Sequence, residues 1–243
     1  MSAALPRLIA HRGARRLAPE NTLAALRLAA AAGAPWVEFD VKLSADGELL
    51  LMHDELLERT TSGRGPVSDM RWKDLAKLDA GSWFGKAFAR ERVPGFLPAL
   101  ALLGKLGLGA NIEIKPCPGR EEETGRAVAM ATARHWPAHL PPPVLSSFAL
   151  DSLAAAREAA PDLLRGLLVE AVPDDWRQRL GALECVSLHA EESRLTAPLV
   201  RAVKAAGVPL LAYTVNDPDR ARTLRAWGVD ALVTDDVAAL RGI

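Results

Sequence analysis

Eight short runs rich in Val, Ile and Leu punctuate the chain, at 8–10, 36–43, 111–114, 144–148, 164–169, 185–188, 210–214 and 231–234. Most are apolar on both faces, as strands covered on both sides must be. The segments between them are rich in Ala and Leu at helical spacing, with Leu23, Leu26 and Ala30 after the first run and Leu150, Leu153 and Ala154 after the fourth. Glycines such as Gly33, Gly207 and Gly228 close several of these segments. Strand and helix alternating along the whole chain predict a parallel sheet wrapped by helices, and eight units in 243 residues predict a (β/α)8 TIM barrel. The alternative is an open doubly wound sheet, but no GxGxxG loop follows the first strand.

Size and charge narrow the class further. With 49% hydrophobic residues the chain can bury one large core, so residues 1–243 read as a single domain without repeat or low-complexity linker. Thirty basic and thirty acidic residues cancel, which argues against nucleic acid or an anionic membrane as partner; any positive field has to be local. The expected partner is a small molecule, and the oligomeric state is left open. No apolar run reaches membrane-spanning length, and MSAALPRLIAH lacks the features of a secretory leader, so a cytoplasmic location is expected. Cys117 and Cys185 lie far apart with no paired pattern, and read as two reduced thiols.

One region breaks the alternation. The turn Ser44-Ala45-Asp46-Gly47 leads into an apolar run over 48–53 that ends in His53-Asp54, which predicts a hairpin. A Gly- and Pro-rich insertion over about 55–97 follows, long enough to be a lid or binding loop. Trp83 and Phe84 within it are expected to shield a site from water or to form a small satellite core.

Active sites of such barrels lie at the C-terminal ends of the strands. The charges obey that rule: His11 and Arg12 end the first strand, Glu38 and Asp40 lie toward the end of the second, and Glu113 and Lys115 end the third. Residues two apart share a strand face, so Glu38 with Asp40, and Glu113 with Lys115, are expected to point into one mouth. Converging carboxylates in an apolar surround call for a cation, and an all-oxygen set favours one Mg²⁺ or Ca²⁺. The alternative is that these acids simply pair with Arg12 and Lys115. Beside a cation, Arg12 and Lys115 suit a phosphate group, and His11 with His53 suits general acid and base, in an order left open. His135, His139 and His189 read as structural hydrogen-bonders.

The motifs AHRG (10–13), PENT (19–22), EFDVKLSADGELLLMHD (38–54), ERTTSG (58–63), DAGSWF (79–84), NIEIKP (111–116), VLSSF (144–148) and YTVN (213–216) occur in order along essentially the whole chain. In this set the chain resembles the glycerophosphodiester phosphodiesterases, most closely their cytosolic bacterial branch. The resemblance implies a metal on Glu38, Asp40 and Glu113, acid/base catalysis by His11 and His53, and phosphate contacts from Arg12 and Lys115. It also implies release of sn-glycerol 3-phosphate and an alcohol from a deacylated phospholipid, with water or the glycerol 2-hydroxyl as nucleophile. Ser146, Phe148, Tyr213 and Asn216 are expected to line the pocket, Phe148 and Tyr213 as substrate contacts or as rim packing. Asn21 or Thr22 is expected to cap the first helix, Glu20 to orient His11 or an arginine, Gly13 to allow a close turn, and Arg15 and Arg16 to be solvated. The chain departs from many relatives at Tyr213, where they carry Trp, and at Ala101, where they carry an acid in what reads as the lid. The other readings are a phospholipase acting on intact or lyso-phospholipid, and a phosphate-ester-binding barrel without catalysis.

Overall fold

The computed structural model describes residues 5–243. Nine strands form one sheet: β1 (Leu8–Ala10), β2 (Trp36–Leu43), β3 (Leu49–Leu51), β4 (Gly109–Ile114), β5 (Val144–Ser147), β6 (Leu164–Val169), β7 (Ser187–Glu191), β8 (Leu210–Tyr213) and β9 (Ala231–Thr234). All except β3 are parallel to their neighbours, and pairing of β1 with both β9 and β2 closes them into an eight-stranded barrel. The helices α1 (Leu23–Ala31), α2 (Trp72–Leu75), α3 (Phe96–Leu106), α4 (Glu121–His135), α5 (Leu150–Ala159), α6 (Trp176–Leu183), α7 (Ala197–Ala205), α8 (Pro218–Trp227) and α9 (Val237–Leu240) complete the chain. The (β/α)8 barrel expected from the alternation is the observed fold. Among the described residues no helix is long and apolar enough to cross a membrane.

Every residue of β2 is buried, because one face meets the helices and the other fills the barrel. The outer layer joins Phe39 and Ile112 to Phe96, Leu100 and Leu103 of α3. The barrel's interior is plugged by Ile9, Trp36, Val144, Leu211, Ala231 and Val233. With a side-chain period of two, the inward row that begins at these apolar residues continues to His11, to Glu38 and Asp40, and to Ser146. The interior thus turns from apolar to polar along β1, β2 and β5, and this gradient places chemistry at one end of the barrel.

Four expectations are corrected or sharpened by the fold. The seventh strand is Ser187–Glu191, not 185–188: Cys185 N–H closes the end of α6 on Leu180 O, so the strand starts two residues later and carries His189 into the barrel. The segment after β3 is no loose lid. Leu50, Met52, Leu57, Val67, Leu75, Ala80, Val93 and Cys117 form a second small core that holds it against the barrel. Trp83 and Phe84 lie outside this core; they stay 42% and 36% exposed, edge to face at 5.6 Å, with the indole N–H donated to Ala80 O. Residues 98–101 lie within α3 and so are not part of a lid.

The hairpin forms as expected. β3 runs antiparallel to β2 with Val41 opposite Leu51, after a turn in which Ser44 Oγ meets Asp46 Oδ1 at 2.8 Å. Met52 N–H then donates to Asp40 O at 3.1 Å, which delivers His53 beside the end of β2.

Candidate active site

The register of β2 on β4 sets Glu38 opposite Asn111 and Asp40 opposite Glu113, so the two strands present their acids as neighbours. Ligand oxygens of Glu38, Asp40 and Glu113 lie within 4.8 Å of one another, the one such cluster among the described residues. Arg12 and Lys115 approach it: Arg12 Nε is 3.3 Å from Asp40, and Lys115 Nζ is 2.7 Å from Glu113 and 3.8 Å from Asp40. Pairing with these two cations does not account for the cluster. Arg12 is shared with Glu20 at 2.7 Å, and Glu38 receives only the Arg12 backbone N–H at 3.0 Å. Glu38 Oε1 and Asp40 Oδ1 are buried with no hydrogen-bond partner.

The proton affinities record the same imbalance. Burial, with Asp40 and Glu113 adding to it, pushes the Glu38 carboxyl well above the usual range. Burial and then Asp40 raise Glu113 to about 7, against the pull of Lys115. Burial opposes the Asp40 carboxylate too, but Arg12, Lys115, His53 and the Asn21 amide outweigh it and hold the group at about 2. Three buried acids facing two shared cations leave negative charge uncompensated, and a hard divalent cation fits such an oxygen donor set.

Each predicted catalytic histidine has its Nδ1 tied to a carboxylate, His11 to Asp235 Oδ1 at 2.6 Å and His53 to Asp54 Oδ1 at 2.6 Å. A tie at Nδ1 sets the tautomer and leaves Nε2 free to carry a proton. His11 Nε2 points toward Glu38, 3.9 Å away. Burial lowers the proton affinity of both rings; the Asp235 hydrogen bond returns part of it at His11, and Asp40 does so at His53. Arg59, and after it His53, hold Asp54 far below the usual carboxylate range.

Two cavities meet this cluster. An open cleft of about 560 Å³ is lined by Lys42, His53, Leu56, Glu113, Lys115 and Phe148. A smaller, less open one, about 30 Å³, lies between His11, Glu38, Asn111, His189 and Tyr213. Lys115 Nζ stands 5.3 Å over the Phe148 ring, which meets Tyr213 edge to face at 6.0 Å. Tyr213 commits its hydroxyl to Val169 O at 2.8 Å, so only its ring faces the cavity. His11, Arg12, Glu38, Asp40, His53, Glu113, Lys115, Phe148 and Tyr213 therefore gather at one mouth.

Several neighbours differ from their sequence reading. Asn21 is not the helix cap: Thr22 accepts Ala25 N–H at 3.2 Å, while Asn21 donates to Asp40 Oδ2 at 2.8 Å and takes the Asp40 N–H. Glu20 orients arginines and not His11, and Arg15 is among them at 3.3 Å, so it is no free solvated charge. Arg16, 3.3 Å from Asp236 and 65% exposed, is solvated as expected. Asn216 holds Asp235 at 2.8 Å. Ser146 is buried in the barrel with its hydroxyl unpartnered. His189 and His139 are structural hydrogen-bonders as expected, His189 to Ser187 Oγ at 2.8 Å and His139 to Gly104 O at 2.9 Å. Asp235, Asp54 and Arg59 escape a sequence reading because acids and arginines in loops look like any solvated charge.

Fold and site together define a class, a (β/α)8-barrel enzyme whose acids, imidazoles and cations suit a phosphoric diester. The model of the glycerophosphoryl diester phosphodiesterase family matches residues 11–239. A glycerophosphodiester phosphodiesterase of Caldanaerobacter subterraneus subsp. tengcongensis is 38% identical over 238 residues, 96% of this chain and 95% of that protein. Among solved structures, a phosphodiesterase of Oleispira antarctica in complex with the product sn-glycerol 3-phosphate superposes with a TM-score of 0.95 at 42% identity, covering 98% of this chain and 96% of that one. A glycerophosphodiester phosphodiesterase of Agrobacterium tumefaciens superposes with a TM-score of 0.80 at 29% identity, covering 98% and 100%. The chain belongs to the glycerophosphoryl diester phosphodiesterase family and is a phosphodiesterase.

Proposed function

We propose that this enzyme hydrolyses glycerophosphodiesters to sn-glycerol 3-phosphate and an alcohol, with one divalent cation, Mg²⁺ or Ca²⁺, held by Glu38, Asp40 and Glu113. The observation that carries this reading is the three-carboxylate cluster with unpartnered buried oxygens, flanked by two histidines each oriented by a carboxylate. When bound, the cation supplies Lewis-acid polarisation of a phosphoryl oxygen. Arg12 and Lys115 stabilise the charge that develops on the other phosphoryl oxygens, Arg12 as a fork and Lys115 as a point charge. One imidazole takes the proton of the attacking hydroxyl through Nε2 and the other gives a proton to the leaving alkoxide. The open cleft beside His53 and Phe148, about 560 Å³, has room for the variable alcohol. The product held by the Oleispira antarctica relative supports this choice of substrate.

The test is release of sn-glycerol 3-phosphate from a panel of glycerophosphodiesters after chelation and re-addition of single metals. Turnover that survives chelation overturns the metal site, and near-normal turnover in His53→Ala overturns the acid/base reading.

One observation favours a second reading. Leu56 and Phe148 line the open cleft while 53% and 41% exposed, an apolar wall that suits the acyl chain of a lyso-phospholipid. A higher kcat/KM for lysophosphatidylcholine than for glycerophosphocholine would decide for it.

A further inference from the structure

The Arg59 side chain is 42% exposed, yet its guanidinium makes more charge-assisted bonds than any group of the catalytic cluster. Nη1 and Nη2 donate to Glu20 at 3.0 and 2.7 Å, while Nη2 also meets Asp54 Oδ1 at 2.9 Å and Nε donates to Asp54 Oδ2. Glu20 is the carboxylate that takes Arg12 Nη1 at 2.7 Å, and Asp54 is the one that takes His53 Nδ1 at 2.6 Å. One continuous chain of ionic hydrogen bonds therefore runs from His53 through Asp54, Arg59 and Glu20 to Arg12. Its two ends lie on separate parts of the fold, the insertion after β3 and the loop between β1 and α1.

We propose that Arg59 is a positioning residue of the reaction: its guanidinium, forked between Asp54 and Glu20, holds the His53 imidazole and the Arg12 guanidinium in one fixed relation across the phosphate. The inference rests on the reading of His53 as an acid/base and Arg12 as a phosphate contact. A planar five-donor fork can serve two carboxylates at once with directed bonds, which a point-charge ammonium cannot. Anchoring of the insertion does not rest on this residue alone. The segment has its own apolar core, pairs through β3, and receives a further tie from Ala24 N–H to Glu91 at 3.3 Å. Asp40 also links the two regions, taking Met52 N–H on its carbonyl and standing 3.3 Å from Arg12 Nε, but it meets the backbone beside His53 and not the imidazole.

Arg59→Met and Arg59→Lys are compared with wild type in the metal-loaded enzyme on glycerophosphocholine, with kcat, KM and melting temperature measured for each. For Arg59→Met, kcat is expected to fall about 10- to 100-fold, the range typical for groups that orient catalytic ligands. KM is expected to rise severalfold as Arg12 loosens, with melting lowered by no more than about 4 °C. Arg59→Lys recovers less than a tenth of the lost kcat, and added methylguanidine raises turnover of Arg59→Ala but not of wild type. In a His53→Ala background the Arg59→Met loss of kcat disappears while the rise in KM persists. Unchanged kcat and KM in Arg59→Met overturn the proposal, as does a loss fully recovered by Lys or one that tracks a large drop in melting temperature. His53→Ala with undiminished turnover overturns the acid/base reading by itself, and is thereby told apart from a failure of Arg59→Met in the wild-type background.

Discussion

Asp235 follows the last residue of β9 and grips His11 Nδ1, itself braced by Asn216. An amide at that position no longer favours the proton on Nδ1 or stabilises an imidazolium, so Asp235→Asn is expected to lower kcat by about two orders of magnitude while the fold stays intact. Steady-state kinetics with a parallel melting curve check this; kcat within twofold of wild type rejects the assignment. Gly166 makes a second residue-level case. A Cβ there would lie 2.5 Å from His189 Nε2, inside a closed barrel where nothing can give way cheaply. Gly166→Ala is expected to cost about 1–3 kcal/mol in urea unfolding, and an unchanged midpoint would show that the ring has room to move. Gly13 is constrained for a related reason: at φ +80°, with Ala25 backbone 2.7 Å from the position of a Cβ, it lets the chain turn directly after His11 and Arg12.

Elements bring these residues together. The short strand β3 and the small core behind it form the arm that carries His53, and Leu57 and Leu75 are fully buried in that core. Leu75→Ala is expected to cost about 2–5 kcal/mol, concentrated in this arm. Hydrogen exchange should show residues 52–95 opening while β4 to β9 keep their protection; uniform loss over both would mean that the arm and barrel unfold as one unit. Helix α1 reaches back to the site by another route. Thr22 caps it, so that Asn21, at φ +57°, is left to bond Asp40. Thr22→Ala should destabilise by about 1 kcal/mol, and its effect on kcat reports how far the cap aligns Asn21.

For the whole molecule, closure of the barrel imposes a pH dependence. His189 is fully buried inside it, and burial pushes its pKa down to about 3. The unfolded chain takes up a proton near pH 6.5 that the folded chain refuses until about pH 3. This group's contribution is therefore complete above pH 6.5 and is lost as pH falls, by up to about 1.4 kcal/mol per pH unit. His189→Gln removes the titration but can still bond Ser187, so the wild type should lose stability more steeply than the variant from pH 6 to 4. Parallel curves would show that the ring reaches solvent.

The sequence by itself determined the barrel and most of the residues that gather at its mouth. Eight apolar runs with helical spacers admit few folds, and a charge on an otherwise apolar strand stands out, as Glu38, Asp40 and Glu113 do. Where apolar residues served a helix exit instead of a strand, as at Cys185, the same signal misled by two residues. Only the tertiary structure decided which groups hold the two histidines and Arg12. His11 and Asp235 are 224 positions apart and meet because β9 pairs with β1; Arg59 reaches Glu20, 39 positions away, because β3 folds back on β2. Loop charges carry no periodicity that marks a partner, and their pairing is set by closure of the sheet, which places distant strand ends side by side around one mouth.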